Sequence, residues 1–170
     1  HTLRLLTRLV DSKHHTSWIN EFHKAKDIEI EKVIHKDLNP TKPGLTMGEV
    51  INKVAELTDN SAVVVTDVGQ NQMAAARYSK FNQSRSWVSS GGLGTMGFGL
   101  PAAMGAKFGA PDREVVVFTG DGGMQMTIQE LGTIAQENLA VKIVILNNHF
   151  LGMVRQWQEL FFEKRYSFTE

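Results

Sequence analysis

Three short, nearly uninterrupted apolar runs constrain the fold of this chain more than any other feature. The runs lie at 62–65, 114–118 and 141–146, and segments with the apolar spacing of helices separate them. Strands that are apolar on both faces are typical of parallel sheets covered by helices on both sides. The sequence therefore predicts an α/β fold with an open, mostly parallel sheet and helices on both faces.

Helices and one further short strand complete the expected order. A capping box formed by Thr46 and Glu49 begins the first helix, whose apolar face is expected to comprise Val50, Val54 and Leu57. The other expected elements are a helix over 70–78, a strand at Trp87-Val88, a helix over 100–108, an amphipathic helix marked by Ile128, Leu131, Ile134 and Ala135, and a last helix carrying Met153, Val154 and Trp157. A polar turn follows each of the long strands.

The composition changes along the chain. Charged residues and histidines are concentrated in residues 1–44, whereas nearly all glycines lie in residues 45–170. The change falls at 39–44, a stiff, turn-prone segment that contains Pro40 and Pro43. We therefore expect 1–38, with two short amphipathic helices, to be the tail of a preceding domain. Residues 39–44 would be a linker, and 45–170 a domain truncated at its C-terminus.

Charge and composition exclude several classes of function. The 18 basic and 18 acidic residues balance, so no net field favours nucleic acid or an anionic membrane. No apolar run approaches the ~20 residues that span a bilayer. The absence of cysteine removes disulfides, thiolate metal sites and cysteine nucleophiles. We expect neither a nucleic-acid partner nor a membrane partner.

Polar residues follow the last two long strands. Asp121 and Asn148 are separated by one helix and one strand, so both are expected at the crevice where the carboxyl ends of parallel strands meet. A carboxylate and an amide oxygen suit Mg²⁺, and the bare backbone of Gly122 and Gly123 at a helix N-terminus suits phosphate oxygens. The alternative is that Asp121 only caps the following helix and that the asparagine pair only turns the chain.

Two groups of motifs carry a resemblance to a known family. Gly120-Asp121-Gly122 followed by Asn147-Asn148 resembles the thiamine-diphosphate fingerprint. The stretches 90–97 and 146–158 resemble, more specifically, those of the large catalytic subunit of acetohydroxyacid (acetolactate) synthase. The resemblance extends over about 44–167. Its Gly-Met-Val-Arg-Gln-Trp-Gln segment favours the biosynthetic, FAD-containing type.

The resemblance implies which residues would bind the metal and the diphosphate. The Mg²⁺ ligands would be the side chains of Asp121 and Asn148 and the backbone carbonyl of Phe150. The residues implied at the diphosphate are Val68, Gly69, Gln70, Asn71, Gly122 and Gly123. Two departures from the family pattern lie here, since Asn71 and Ala74 stand where the family usually has histidine and tryptophan. Asparagine can still donate a hydrogen bond, so cofactor binding is expected to survive.

The resemblance also implies residues at the reacting end of the cofactor. Met96 would lie beneath the cofactor and force the bend that brings its amino group to the reactive carbon. The backbones of Gly94 and Met96 would bond the aminopyrimidine. Met153 would touch the cofactor and, with Trp157, line the pocket for the second 2-oxo acid. Core filling is the alternative role for Met96 and Trp157.

The function implied by the resemblance is the decarboxylation of pyruvate and its condensation with a second 2-oxo acid. The products would be 2-acetolactate or 2-aceto-2-hydroxybutyrate, in branched-chain amino-acid synthesis. Thiamine diphosphate and Mg²⁺ would bind here, and FAD mostly outside this segment. The implied partners are further copies in a homodimer or homotetramer and a regulatory small subunit, in a bacterial cytoplasm. The family's activating glutamate would come from a partner subunit, so this chain alone is expected to be inactive.

Three alternatives remain at this stage. Gly92, Gly94 and Gly97 fit the G-x-G-x-x-G pattern of an NAD-binding Rossmann domain with Asp112 as the ribose-binding acid, although Asp112 precedes its strand instead of following one. Other thiamine-diphosphate enzymes, such as pyruvate oxidase, benzoylformate decarboxylase or a carboligase, share the Gly-Asp-Gly and Asn-Asn pattern. A domain serving assembly would use the glycines only for close helix packing.

Overall fold

The computed structural model of this protein describes residues 2–170, and within them the chain divides into two compact units, with the boundary between Asn39 and Pro40. The first unit is helical. Helix α1 spans Thr2–Leu9, and α2 spans Thr16–Glu29 and continues through a π-helical segment, Ile30–Ile34, into α3, His35–Leu38. No residue from 2 to 39 is buried.

The second unit alternates helices and strands from Met47 onward. Its elements are α4 (Met47–Leu57), β1 (Val63–Thr66), α5 (Gln70–Tyr78), β2 (Trp87–Ser89), α6 (Gly99–Gly109), β3 (Val115–Gly120), α7 (Asp121–Met126), α8 (Glu130–Gln136), β4 (Val141–Leu146) and α9 (Gly152–Phe161). The strands form one parallel sheet in the order β2-β1-β3-β4. The predicted α/β class with a parallel sheet is confirmed.

Helices cover both faces of this sheet because its central strands are apolar on both sides. On one face, Val65 and Val117 are fully buried and cluster with Ala103 of α6. On the other face, Val64 and Phe118 line a small internal cavity with Ile51, Ala55 and other residues of α4 and the neighbouring loops. The strands and the helices over 70–78 and 100–108 therefore lie where the sequence predicts them, within one or two residues at each end.

The buried face of α4 differs from the predicted one. The Thr46–Glu49 capping box is present, with the Glu49 N–H donating to Thr46 Oγ1 at 3.1 Å and the Thr46 N–H donating to Glu49 Oε2 at 2.8 Å. However, Leu57 is 74% exposed, and the buried residues of α4 are Gly48, Ile51 and Ala55. A Cβ at Gly48 would lie 3.0 Å from the Tyr78 ring, so the close approach of α4 to α5 at this glycine sets the rotation of the helix.

The prediction of a single amphipathic helix after β3 is also wrong. The segment forms two short helices, α7 and α8, and Ile128 between them is 51% exposed. The break lies at Thr127, which has a non-helical φ of −133° and whose hydroxyl donates to the Gly97 carbonyl at 3.0 Å. The buried side of this region is formed by Gly123 and Met124 at the start of α7.

The register of the sheet brings the ends of three strands to one edge. Thr66, the last residue of β1, lies opposite Phe118, and Gly120 at the end of β3 lies opposite Leu146 at the end of β4. The turns that follow these strands therefore emerge beside one another. Among residues 2–170, no helix is long and apolar enough to cross a membrane.

Candidate functional site

A cavity of about 230 Å³ lies at the carboxyl ends of β1, β3 and β4. This is the position at which open parallel sheets bind ligands. Its lining includes most of the residues singled out from the sequence: Val68, Gly69, Gln70, Gly94, Met96, Asp121, Gly122, Gly123, Asn148, Phe150 and Met153. The fold thus gathers residues from four separate loops around one space.

The turn after β1 forms one wall of this cavity. Gly69 has a φ of +133°, a conformation that side chains rarely adopt, and it leads directly into α5. The Gln70 side chain accepts a hydrogen bond from Asn148 Nδ2 and donates one to Gln156 Oε1, both at 3.2 Å. A Cβ at Gly152 would collide with Gln70 Oε1, so glycine is needed where α9 begins. The β1 and β4 turns are therefore joined by side-chain hydrogen bonds.

The asparagine pair after β4 does turn the chain. Asn147 Oδ1 accepts a hydrogen bond from the His149 N–H at 2.9 Å, and Asn148 Oδ1 accepts one from the Phe150 N–H at 3.1 Å. His149 takes up a φ of +63° in this turn. Asn148 Nδ2 donates to Gln70, so the two bonds fix the orientation of the amide. An amide oxygen has two lone pairs, and Oδ1 can therefore accept one more ligand. The turn and a role as an oxygen ligand are therefore compatible.

Asp121 is the first residue of α7 and lies on the edge of the cavity. Within residues 2–170, its carboxylate has neither a hydrogen-bond partner nor an ion-pair partner, and Gly120 instead of Asp121 occupies the N-cap position. The capping alternative for Asp121 is therefore wrong in this geometry. In the same part of the chain, no group of three or more histidine, aspartate and glutamate side chains could hold a metal ion. A cation here would depend on one carboxylate supplemented by amide and backbone oxygens.

Met96 lines the cavity and lies close to the backbone of Gly122. A Cβ placed on Gly122 would lie 4.0 Å from Met96 Cε and 2.7 Å from Leu151 Cδ2. A Cβ on Gly123 would lie 2.5 Å from Asp67 Oδ1. Gly122 therefore lets the start of α7 lie against Leu151, with Met96 at contact distance, and Gly123 lets it approach Asp67 at the end of β1 more closely than a side chain would permit.

Asp67 is a functional candidate that sequence reasoning missed. Its carboxylate is buried, with 1% of the residue exposed, and it accepts hydrogen bonds from the N–H groups of Val68, Gly97 and Gly99 at 2.8, 3.1 and 2.8 Å. The only sequence signal is an aspartate at the end of a buried strand, because two of its partners lie 30 and 32 positions away.

Two residues implied at the site lie outside the lining of the cavity. Asn71 is 5% exposed and packs behind the turn, where its Nδ2 donates to the Val68 carbonyl at 3.4 Å and its Oδ1 has no partner in residues 2–170. Trp157 is 57% exposed, one turn beyond Met153 on α9, and contacts the Phe161 ring with centroids 4.7 Å apart. In this structure, Trp157 is neither a core residue nor part of the cavity wall.

A second cavity of about 390 Å³ adjoins the first and shares Asp121, Gly122, Phe150 and Leu151 with it. The end of the chain closes one side, since the Leu151 N–H donates to the Thr169 carbonyl at 2.8 Å. The Arg155 guanidinium lies 4.0 Å from the Phe150 ring centroid and pairs with Glu170 at 3.2 Å. No pattern in the sequence indicates this arrangement.

The site can be compared with known proteins. The profile of the family described as "Thiamine pyrophosphate enzyme, C-terminal TPP binding domain" matches residues 67–170, which is more than half of the chain. The chain belongs to this thiamine pyrophosphate enzyme family. The match begins at Asp67 and includes every residue that lines the 230 Å³ cavity.

Acetolactate synthases are among the known proteins to which this chain is similar. The chain is 54% identical to the acetolactate synthase large subunit of Lactococcus lactis over 70% of its own length and 21% of that protein. It is 47% identical to the probable acetolactate synthase large subunit of Methanococcus aeolicus, over 91% of this chain and 26% of the relative. It is 46% identical to the acetolactate synthase large subunit of Haemophilus influenzae, over 90% of this chain and 26% of that protein. The chain thus spans about a quarter of the length of these relatives.

Membership of the thiamine pyrophosphate enzyme family removes the Rossmann alternative, and the structure gives the physical reason. Asp112, the candidate ribose-binding acid, is exposed in the turn before β3. The cavity lies at the other end of that strand, beyond Gly120. Asp112 therefore cannot meet a ligand held by the glycine-rich loop.

Proposed function

We propose that this chain is the thiamine-diphosphate-binding part of an acetolactate synthase large subunit. The whole enzyme would decarboxylate pyruvate and condense the product with a second 2-oxo acid, giving 2-acetolactate or 2-aceto-2-hydroxybutyrate. The observation that carries the proposal is the cavity in which Asp121, Asn148 and Phe150 lie together with Met96 and the glycine turns. The identity of 46–54% to acetolactate synthase large subunits supports this choice within the family.

The residues of the cavity fit a magnesium diphosphate. Asp121 offers a carboxylate with no partner in the described part of the chain, and Asn148 offers an amide oxygen oriented by Gln70. With the Phe150 carbonyl, they would give three oxygen ligands, and diphosphate oxygens and water would complete the six that Mg²⁺ prefers. Gly69, Gly122 and Gly123 line the adjoining wall, so backbone N–H groups can reach phosphate oxygens without obstruction by side chains.

Three other residues of the cavity lining, Gly94, Met96 and Met153, would position the organic part of the cofactor. When bound, thiamine diphosphate supplies the nucleophilic carbon and the electron sink that decarboxylation of a 2-oxo acid requires. Met96 would support the bend between its rings, with the backbone of Gly94 holding the aminopyrimidine. Met153 would contact the cofactor and the second 2-oxo acid. Trp157 would belong to the same substrate pocket in the whole protein.

The remaining components belong to the proposal for the whole enzyme. FAD would bind mostly outside this segment, and a glutamate of a partner subunit would activate the cofactor. The full-length protein would form a homodimer or homotetramer, with a regulatory small subunit as a further partner and a bacterial cytoplasm as its location. This segment alone would bind the cofactor without turnover.

The proposal is tested by isothermal titration of the chain with thiamine diphosphate in the presence and absence of Mg²⁺, together with an acetolactate assay on the full-length protein. Binding should require Mg²⁺ and should be lost in Asp121→Ala. His14→Ala, a change on the separate N-terminal unit, is the control and should bind normally. Binding without Mg²⁺ dependence, or full-length protein that forms no acetolactate from pyruvate, would contradict the proposal.

A further inference from the structure

The loop that carries Met96 is anchored immediately after that residue. Gly97 is held on both sides, since its N–H donates to Asp67 Oδ1 at 3.1 Å and its carbonyl accepts from Thr127 Oγ1 at 3.0 Å. Two positions later, the Gly99 N–H donates to Asp67 Oδ2 at 2.8 Å. These contacts tie the loop between β2 and α6 to the end of β1 and to the end of α7.

The Asp67 carboxylate is suited to this anchoring because it is buried and fully enclosed. Its hydrogen bonds come from backbone N–H groups, and charge-assisted bonds of this kind are about twice as strong as neutral ones. A Cβ at Gly99 would lie 3.0 Å from Asp67 Oδ2, and one at Gly123 would lie 2.5 Å from Oδ1. Only glycine at these two positions leaves space for the carboxylate, and the loop cannot move without breaking its bonds to Asp67.

We propose that Asp67 is a positioning residue that fixes the position of Met96 in the cavity. Thr127, which bonds the carbonyl of Gly97, would assist it. Through Met96, Asp67 determines how well the cavity accepts a bent thiamine diphosphate. This inference rests on the proposed function, and it assigns to Asp67 and Thr127 a role in selecting the cofactor's conformation. Neither residue lines the cavity, so both act through the residues that they hold, which are the Met96 loop for both and also Val68 for Asp67.

Asp67 also accepts a hydrogen bond from the Val68 N–H of the phosphate-binding turn at 2.8 Å, but that turn has further anchors that do not involve Asp67. The N–H groups of Gln72 and Met73 donate to the Gly69 carbonyl at 3.1 and 3.3 Å, and Gln70 is bonded to Asn148 at 3.2 Å. Release of the Met96 loop should therefore leave the diphosphate end of the cavity in place. Inorganic pyrophosphate probes that end alone, whereas thiamine diphosphate probes both ends.

Two variants and one control separate these effects. Asp67→Asn keeps the shape of the side chain, but its NH₂ group cannot accept a hydrogen bond, so at least one of the loop N–H groups loses its partner. Thr127→Val removes only the hydroxyl that bonds Gly97. Ser86→Ala is the matched control, since Ser86 is 3% exposed and its hydroxyl accepts from Arg113 at 2.6 Å at the opposite end of the sheet.

The experiment is isothermal titration of each variant of the chain with pyrophosphate and with thiamine diphosphate, both in the presence of Mg²⁺. We expect Asp67→Asn to weaken the binding of thiamine diphosphate at least tenfold and that of pyrophosphate less than threefold. Thr127→Val should show the same difference between the two ligands, with a smaller loss of affinity. Ser86→Ala should change neither affinity by more than about twofold. Without any ligand, hydrogen exchange of the Gly97 and Gly99 amides should accelerate in Asp67→Asn.

The outcomes distinguish this inference from the proposed function. Equal losses for both ligands, or an unchanged affinity for thiamine diphosphate, would overturn the role of Asp67. If Asp67→Asn does not fold, the difference between the two ligands in Thr127→Val decides, and the absence of that difference overturns the inference. Wild-type chain that binds neither ligand would instead overturn the proposed function, whereas the hydrogen-exchange result tests the anchor itself.

Discussion

Asn148 donates a hydrogen bond through Nδ2 to Oε1 of Gln70 at 3.2 Å, across 78 positions of the sequence. The bond joins the turn after β1 to the turn after β4 and, with the bond from the Phe150 N–H to Asn148 Oδ1, fixes the orientation of the Asn148 amide. Gln70 is itself held by Gln156 of α9 at 3.2 Å. An amide that could rotate freely would present its NH₂ group to a cation half of the time, so this short chain of amides prepares the proposed metal ligand.

The first prediction concerns this chain of amides. Gln70→Ala removes both hydrogen bonds and leaves the Asn148 amide with its bond from the Phe150 N–H alone, so we expect Mg²⁺-dependent binding of thiamine diphosphate to weaken about tenfold, or ~1.4 kcal/mol. Titration calorimetry at a series of Mg²⁺ concentrations measures the change. Gln136→Ala, at an exposed glutamine at the end of α8, should leave binding unchanged. An equal loss in both variants would exclude a specific role for Gln70.

The second prediction concerns the close approach of the Gly123 backbone to Asp67. Gly123→Ala would place a Cβ 2.5 Å from Asp67 Oδ1, and we expect a loss of about 1–3 kcal/mol in the free energy of unfolding, because the carboxylate cannot move aside. Gly132→Ala in α8 is the control. A Cβ there meets nothing within 4 Å, so the change should stabilise the helix by about 0.5–1 kcal/mol. Urea denaturation measures both, and a tolerated Gly123→Ala would contradict the packing described here.

The third prediction concerns the support given by Met96. Met96→Ala should leave the affinity for Mg²⁺-pyrophosphate unchanged and reduce the circular dichroism that the chain induces in bound thiamine diphosphate, because the bend loses its apolar support. Met96→Leu keeps most of the bulk and should retain most of the signal. An alanine variant with the full signal would show that the bend does not depend on Met96.

The fourth prediction concerns pH. Glu114 Oε2 lies 2.8 Å from Lys142 Nζ, and this hydrogen bond, followed by the charge of Lys142, lowers the pKa of Glu114 below its usual value of about 4.5. A carboxyl whose pKa is lower in the folded state stabilises the fold above its unfolded pKa, and this contribution is lost as the pH falls through the folded pKa. Both side chains are more than half exposed, so the contribution should be only a few tenths of a kcal/mol.

The variant Glu114→Gln tests this pair. It should be slightly less stable than wild type at pH 7, and the difference should shrink as the pH falls and vanish below the lowered pKa of Glu114, where the wild-type carboxyl is also neutral. Because salt screens exposed charges, 1 M NaCl should also remove most of the difference at pH 7. Denaturation curves at two pH values and two salt concentrations measure it. A difference that grows toward low pH would contradict the sign of the shift.

The sequence predicts the parts of this molecule that depend on neighbouring residues. The runs around Val63, Val115 and Val141 form strands because β-branched residues favour a buried, extended backbone, and the polar turns after them lie at the same edge because the strands are parallel. For the same reason, Asp121 and Asn148 could be placed at one cavity without any knowledge of contacts.

The features that sequence reasoning missed depend on contacts between distant residues. Asp67 bonds Gly97 and Gly99 across a whole strand and loop, and nothing near Asp67 indicates those partners. The rotation of α4 depends on the contact between Gly48 and Tyr78. In both cases a glycine allows two segments of the chain to come close together, and the spacing of hydrophobic residues does not indicate such a contact.

The measurement that tests the central claim most directly is thermal unfolding of the chain with thiamine diphosphate, Mg²⁺, both together, and NAD⁺ alone. A ligand at 100 times its dissociation constant adds about 2.7 kcal/mol to the free energy of unfolding. We predict an increase in Tm only when thiamine diphosphate and Mg²⁺ are both present, and none in Asp121→Ala. An increase with NAD⁺ alone, or an equal increase in the Asp121→Ala variant, would contradict a magnesium diphosphate site at the ends of β1, β3 and β4.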